Sequence, residues 1–148
     1  MSDYTVTLEG TEELLQNLRR IDSGIRQDVA VRAVNAGGIQ IENKARMNAP
    51  VLTGALRNSV TTIAKSTGHG AEAEIGFRGL VYARIQEFGG TITPKKGKYL
   101  TFRTKNGNWV RARSVKIRGK HYLEKAVNSE KGLAVKAMSD VVKAYLER

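Results

Sequence analysis

The spacing of apolar residues changes twice along the chain. Between positions 25 and 48 small and apolar residues recur at helical spacing, between 60 and 118 they alternate as in strands, and from 122 the helical spacing returns. This pattern predicts an α+β fold, in which helices from both ends of the chain pack on one face of a small, mostly antiparallel sheet of four or five strands. A β-hairpin is expected to project from that sheet.

The same pattern predicts a single domain over residues 1–148, since a chain of 148 residues suits one hydrophobic core. Alternation at 4–8 predicts a first strand, and apolar spacing at 11–21 predicts a short helix. The domain has three parts in chain order: the first strand and the N-terminal helices in 1–48, the sheet with short helical turns and a basic hairpin in 49–118, and the C-terminal helix in 119–148.

Residues 49–59 join the long helix to the sheet. Pro50 ends the helix, because proline has no N–H to donate and disfavours helical geometry at the residue before it. Thr53 is placed to accept a backbone N–H at the start of one helical turn, and Gly54 allows close approach. Leu56 is expected to turn inward and Arg57 to stay in solvent. Taken alone, the segment is a helix-to-sheet corner.

Gly37 and Gly38 interrupt the long helix, at a cost of about 1 kcal/mol each relative to alanine. The run of small residues from Ala33 to Gly38 lets either a sheet or a neighbouring subunit approach closely, or it marks a local kink. A subunit contact at Gly37 and Gly38 is one hypothesis from this pattern.

A second short helix is predicted over 82–88. Tyr82, Ile85 and Phe88 fall three apart, as on one side of a helix, and Gly89 supplies a left-handed stop. Glu87 lies among apolar neighbours, where an acid needs a partner such as a backbone N–H or an arginine.

A hairpin is predicted from strands at 99–105 and 108–113. A two-residue Asn-Gly loop would mix apolar and basic side chains on both faces. A three-residue loop, 105–107 with Gly107 left-handed, separates them, so we predict that loop. Its outer face carries aromatic side chains interleaved with arginines. The candidate contact residues are Tyr99, Arg103, Lys105, Trp109, Arg111 and Arg113.

Most of the net charge of +11 lies around this hairpin. Residues 95–125 hold eleven Lys or Arg against Glu124 alone, which gives +10, and the remaining 14 basic and 13 acidic residues give +1. Guanidinium groups beside aromatic rings suit phosphate contact or base stacking. They equally suit a protein interface anchored by Trp and Arg, and a merely solvated face is the third interpretation.

The sequence contains no pattern of residues that is typical of an enzyme active site. There is no cysteine, the two histidines are far apart, and no cluster of acids and histidines has metal-ligand spacing. No serine lies in a nucleophile-elbow context, and no glycine-rich piece matches a phosphate-binding loop. No apolar run approaches the roughly 18 residues of a membrane span. We therefore expect no catalytic residues, no metal, no cofactor and no membrane contact.

Two motifs in order resemble one protein family. Behind the alanine-rich helix come Ala-Pro-x-x-Thr-Gly-x-Leu-Arg-x-Ser at 49–59 and Tyr-Ala-x-x-x-Glu-Phe-Gly at 82–89. This order is similar to that of the tail-completion, or head–tail joining, proteins of long-tailed bacteriophages. The closing segment of that family, Arg-Pro-Phe-Leu, is altered here over 118–123, where the proline is lost and the apolar pair Tyr122-Leu123 is kept. The motif residues read as architectural: Pro50, Thr53, Gly54, Leu56, Arg57, Ser59, Tyr82, Glu87, Phe88 and Gly89.

The resemblance implies a structural role in the virion. Such proteins form a ring, typically a hexamer, at the head-proximal end of the tail, after assembly in the cytoplasm of the host bacterium. The implied partners are other copies of the chain, the tail tube protein and a head-closure or neck protein, with packaged DNA in the lumen. The alternative is a small basic nucleic-acid-binding protein that uses the 99–113 hairpin as a β-ribbon.

Overall fold

The structure, a computed structural model, describes residues 23–51 and 54–148 together with Gln16 and Arg19. The predicted strand at 4–8, most of the predicted helix at 11–21 and Thr53 lie outside the described residues. The chain forms two compact units. We call the one that includes residues up to Leu80 and Tyr122–Arg148 the core unit, and Val81–His121 the inserted unit. The single domain predicted from the sequence stays a prediction.

Helix α1 (Ser23–Asn48) is the central element of the core unit. One side of it is built from small and β-branched residues, of which Val29, Ala33, Ile41 and Ala45 are buried. The amide of Ala49 still donates to the carbonyl of Ala45 at 2.9 Å, and Pro50 follows. The helix therefore ends where the proline was predicted to end it. One short turn, α2 (Ala55–Ser59), then leads into the first strand.

Strands β1 (Val60–Thr67) and β2 (Gly70–Phe77) form an antiparallel hairpin that packs on α1. Their register runs from Val60 opposite Phe77 to Thr67 opposite Gly70, so only two residues form the turn. In β2 the alternate residues Ala73, Ile75 and Phe77 are buried, as strand periodicity requires.

The outer face of this hairpin carries an ion-pair cluster. The Lys65 ammonium lies 3.0 Å from a carboxylate oxygen of Glu72 and 3.6 Å from one of Glu74. The hydrogen bond to Glu72 and its charge, followed by the charge of Glu74, raise the pKa of Lys65 above its ordinary value. The two carboxylates on this strand are thus occupied by a lysine on the neighbouring strand.

Helix α4 (Tyr122–Leu146) packs on α1 and completes the core unit. Met138 of α4 lies against Gly37, while Thr62 of β1 lies against the adjacent Gly38. Helix α1 is therefore in contact with α4 on one side and with the β1–β2 hairpin on another. Where α4 begins, the Tyr122 ring lies 6.5 Å from that of Phe77.

The inserted unit contains one helix and two short antiparallel ribbons. Helix α3 (Val81–Phe88) leads directly into β3 (Gly89–Ile92), which pairs with β6 (Val115–Arg118). Between them in sequence lie β4 (Leu100–Arg103) and β5 (Trp109–Ala112), which pair with each other.

The α+β class is confirmed, but the arrangement differs from the expectation in two ways. Within the described residues the strands form three separate two-stranded sheets, in place of one sheet of four or five strands. Strands β3 to β6 carry no buried side chain, so no shared apolar layer joins them into a larger sheet. Moreover, α4 packs chiefly on α1, so the two long helices do not lie side by side on one sheet face. No helix in 23–51 or 54–148 is long and apolar enough to span a bilayer.

Candidate docking surface

The inserted unit carries almost all of the net charge. Its 41 residues hold eleven Lys or Arg and one acid, which gives +10 of the total +11 and leaves +1 for the core unit. All eleven cations are exposed, whereas the single acid, Glu87, is fully buried. We call these eleven the basic surface: Arg84, Lys95, Lys96, Lys98, Arg103, Lys105, Arg111, Arg113, Lys116, Arg118 and Lys120.

The β4–β5 hairpin, which carries four of these cations over residues 99–113, has the register that was predicted from the different chemistry of its two faces. Leu100 lies opposite Ala112, Phe102 opposite Val110, and the pair Arg103 and Trp109 closes the ladder. The loop comprises three residues, because the amide of Thr104 donates to the carbonyl of Asn108 at 2.8 Å. Gly107 has φ of 85°, the left-handed conformation that such a loop needs. The three-residue loop and its register are therefore confirmed.

The outer face of the hairpin is partly pre-ordered by contacts among its own residues. Nε of Arg103 donates to the carbonyl of Gly107 at 2.8 Å, which folds this arginine over the loop. The guanidinium carbon of Arg111 lies 5.3 Å from the centre of the Tyr99 ring, in cation–π geometry. Both contacts restrict a guanidinium group while leaving several of its N–H donors directed at solvent.

Neither face of the hairpin is covered within the described residues. On the outer face Trp109 is 71% exposed, and Lys105 and Arg113 are exposed beside it. On the opposite face Phe102 is 36% exposed, and no side chain of β4 or β5 is buried. A two-stranded ribbon with no buried face is marginally stable at best in water. An exposed tryptophan on such a ribbon marks it as a surface suited to a partner.

The corner at 49–59 makes structural contacts. Leu56 is buried, and Ser59 is buried with its hydroxyl donating to the carbonyl of Leu56 at 2.7 Å. Arg57 extends back along the corner, and its Nε donates to the carbonyl of Arg46 at 3.0 Å. Gly54, at the N-cap of α2, has φ of 79°. The arginine thus ties the short turn to the last turn of α1.

The second motif, residues 82–89, forms the base of the inserted unit. By the base we mean α3 and Gly89 together with residues 119–121, which contact them. In α3 the buried residues are Ala83 and Glu87, four apart, whereas Tyr82 and Phe88 are exposed. Tyr82 and Phe88 therefore lie on the exposed side of this helix. Gly89 follows with φ of 79°, the left-handed stop that was predicted.

A second glycine, which the sequence analysis did not single out, closes this base. Amides of Lys120 and His121 donate to the carbonyls of Gln86 and Glu87 at 2.7 and 3.0 Å, so the end of the unit caps the end of α3. A Cβ on Gly119 would lie 2.6 Å from the carbonyl carbon of Phe88. The glycine standing in the altered closing segment therefore permits a backbone-to-backbone approach. Alternation at Val115 and Ile117 was the available signal that a strand precedes it.

The glycine pair of α1 is used within the chain. A Cβ on Gly37 would lie 2.7 Å from Cγ of Met138, and one on Gly38 would overlap Cγ2 of Thr62. Both glycines are buried. Of the approaches that the sequence allowed, the structure shows that of the sheet, at Gly38. The last helix, which the sequence did not indicate, lies against Gly37, and the subunit contact stays a prediction.

Comparison with known families decides the class of the protein. Residues 12–89, more than half of the chain, match the family model described as "Bacteriophage HK97-gp10, putative tail-component". The chain belongs to this family of phage tail components. Neither a curated protein nor a solved structure matches the chain.

The match covers both motifs of this tail component but not its basic hairpin. It contains α1, the corner at 49–59 and the turn that ends at Gly89. The basic hairpin and the closing segment lie beyond residue 89, outside the matched range. The family thus accounts for the scaffold, whereas the use of the basic surface has to be argued from its own residues.

Proposed function

We propose that this tail component completes the head-proximal end of the phage tail and joins it to the DNA-filled head. In this proposal several copies, six by the family resemblance, form a ring that contacts the tail tube protein on one side and a head-closure or neck protein on the other. The role is structural and needs no catalytic residue. The virion is then the place where the protein acts, after assembly in the bacterial cytoplasm.

The observation that carries the proposal is the contrast between the two units. The core unit buries its apolar residues between two long helices and a hairpin, and many of its surface charges are paired. The inserted unit presents a hairpin with no buried side chain and eleven exposed cations. In a protein of the virion, such a hairpin is suited to a contact with another component. The corner at 49–59 and the turn at 82–89 serve to hold these units in shape.

Electron microscopy of particles that lack this protein tests the role directly. We expect DNA-packed heads beside free, unattached tails when the gene is deleted from the phage or prophage that carries it. Expression of the intact chain in trans should restore joined particles. Intact and infectious virions in its absence would contradict the proposal.

A further inference from the structure

We propose that the basic surface of the inserted unit binds the phosphate backbone of duplex DNA without sequence preference. This inference names a partner for the proposed function and rests on it in one respect. A protein at the head–tail joint lies close to the packaged DNA, which is a polyanion.

The first argument is the absence of acidic partners for these cations. Within residues 23–51 and 54–148 no salt bridge involves any of the eleven. In the core unit, by contrast, cations pair with acids of the same chain, as in Arg32 with Asp28 and Lys136 with Asp140. Eleven exposed cations with no exposed acid in the same unit give that unit a positive field. Such a field attracts a polyanion.

The second argument is the composition of the surface. Six of the eleven cations are lysines, which protein–protein interfaces tend to exclude from their centres. Phosphate contacts use lysine and arginine alike, because the ammonium acts as a point charge and the guanidinium as a fork of donors. A surface of mixed lysine and arginine without acids fits DNA phosphates better than it fits an acidic protein.

The third argument is the ordering of the hairpin arginines. The bond from Arg103 to Gly107 and the stacking of Arg111 on Tyr99 hold both guanidinium groups in place. Side chains that are ordered before binding lose less entropy when they bind, which favours a contact made from a ribbon of only four residues per strand.

Titration of the intact protein into a short labelled DNA duplex of mixed sequence tests the inference. Fluorescence anisotropy between about 50 and about 200 mM salt should show binding that weakens linearly on a log–log scale, since each phosphate contact contributes a slope of about −0.9. Replacing Arg103, Arg111 and Arg113 together by Ala should reduce the magnitude of that slope by about 2.7 per chain bound. The triple replacement by Lys keeps the charges and should keep most of the slope.

A matched control separates the position of the charges from their number. Lys125, Lys131 and Lys143 are exposed cations of α4 that make no salt bridge within the described residues. Their triple replacement by Ala lowers the net charge from +11 to +8, as the arginine triple does. The control should bind the duplex like the parent. Equal losses in the two triples, or no binding at the lowest salt, would overturn the inference. Circular dichroism and thermal unfolding establish that each variant is folded.

Trp109 distinguishes DNA from an acidic protein as the partner. In a protein interface an exposed Trp beside arginines is a binding hot spot, whose truncation costs about 2 kcal/mol or more. Binding through duplex phosphates does not use it, so Trp109→Ala should leave the salt slope unchanged. Polyglutamate serves as the acidic polypeptide probe. If it displaces the duplex at equal charge concentration and its binding depends on Trp109, the surface fits a protein and the DNA assignment is wrong.

The outcomes of this test and of the joining test are independent. Loss of head–tail joining on gene deletion, together with no duplex binding, would retain the proposed function and reject the DNA contact. Duplex binding with normal virions in the absence of the protein would do the reverse.

Discussion

At the scale of single residues, Gly89 and Gly119 determine whether the inserted unit can close at its base. Gly119→Ala adds a Cβ 2.6 Å from the carbonyl carbon of Phe88 and 2.7 Å from the carbonyl oxygen of Glu87. Backbone atoms cannot move away as a flexible side chain does, so we expect a loss of about 2 kcal/mol or more of unfolding free energy. Urea unfolding followed by circular dichroism measures it.

Gly97→Ala is the matched control for this prediction. Gly97 has φ of 89°, but a Cβ there meets nothing within 4 Å. It tests the left-handed conformation alone, which costs about 1 to 2 kcal/mol in a residue other than glycine. Gly89→Ala combines φ of 79° with a Cβ 2.7 Å from the amide of Gly119, and should be the most harmful of the three. An unfolding curve for Gly119→Ala equal to that of the parent would contradict the backbone clash.

Lys65 gives a prediction for the pH dependence of stability. Its pKa is raised in the folded state by Glu72 first and Glu74 second. A group with a raised pKa binds its proton more tightly when folded, so its stabilisation is complete below the ordinary lysine pKa of about 10.4. That stabilisation is lost as pH rises through the higher folded value. The side chain is exposed, so the effect should be small and sensitive to salt.

The measurement is the thermal midpoint as a function of pH, compared between parent and Lys65→Met. The difference between the two should be constant at neutral pH and shrink on the alkaline side. Lys131→Met, an exposed lysine of α4, is the control and should show no such change. A Lys65→Met difference that persists unchanged at alkaline pH would show that the ion pair is not its cause.

At the scale of elements, the contact between α1 and β1 depends on the absence of a side chain at Gly38. Alanine there gains about 1 kcal/mol of helix propensity, but its Cβ overlaps Cγ2 of Thr62. Because Thr is stiff about χ1, the methyl group cannot rotate away freely, and we expect Gly38→Ala to be destabilising overall. Thr62→Ser removes that methyl group and should rescue the alanine.

A double-mutant cycle on Gly38→Ala and Thr62→Ser measures this coupling. We expect an interaction free energy of about 1 kcal/mol or more in the direction of rescue. Additive effects of the two substitutions would place the cost of Gly38→Ala elsewhere in the helix.

Elements whose two faces differ in chemistry could be predicted from the sequence. The register of the β4–β5 hairpin follows from its loop length, because a slip of one residue would have put Phe102 and Val110 on the basic face. The long helices were predicted for the same reason, since each buries one stripe of small and apolar residues. The β3–β6 ribbon was missed because neither of its faces is buried, which leaves only weak alternation at Val115 and Ile117.

Contacts between distant backbones could not be predicted. Gly119 was noted only as the replacement of a proline, and nothing in its neighbourhood of the sequence indicates that Phe88 lies against it. The spacing of Tyr82, Ile85 and Phe88 predicted a helix but not its buried side, because an eight-residue helix offers too few positions to distinguish the Tyr82 side from the Ala83 and Glu87 side. Both features depend on tertiary contacts rather than on local pattern.

At the scale of the whole molecule, the charge follows the division into units. The core unit has a net charge of +1 and contains residues 12–80 of the matched range 12–89, and the inserted unit has +10 and the hairpin. From the sequence, the charge was predicted to lie in residues 95–125. The structure assigns it to a unit whose chain enters at α3 and leaves beside it, held by the amides of Lys120 and His121.

This arrangement predicts that the hairpin can be removed without loss of the fold. Ile92 and Val115 are direct partners at the end of the β3–β6 ribbon. Two residues, Asn-Gly, can therefore replace residues 93–114 and close the ribbon with a tight turn. The deletion removes seven Lys or Arg and no acid, which lowers the net charge from +11 to +4. The shortened chain should unfold at nearly the parent temperature, since no side chain of β4 or β5 is buried.

Complementation of the gene deletion with this shortened chain distinguishes a role in assembly of the tail from a role in attachment of the tail to the head. If the core unit and the base of the inserted unit suffice for incorporation into the tail, micrographs should show tails that carry the protein and remain unattached to packed heads. The intact chain, expressed at the same level, should restore joined particles. Joined and infectious particles with the shortened chain would show that the basic hairpin is not needed for joining. Absence of the shortened but folded protein from the tails would instead assign the hairpin to assembly of the tail itself.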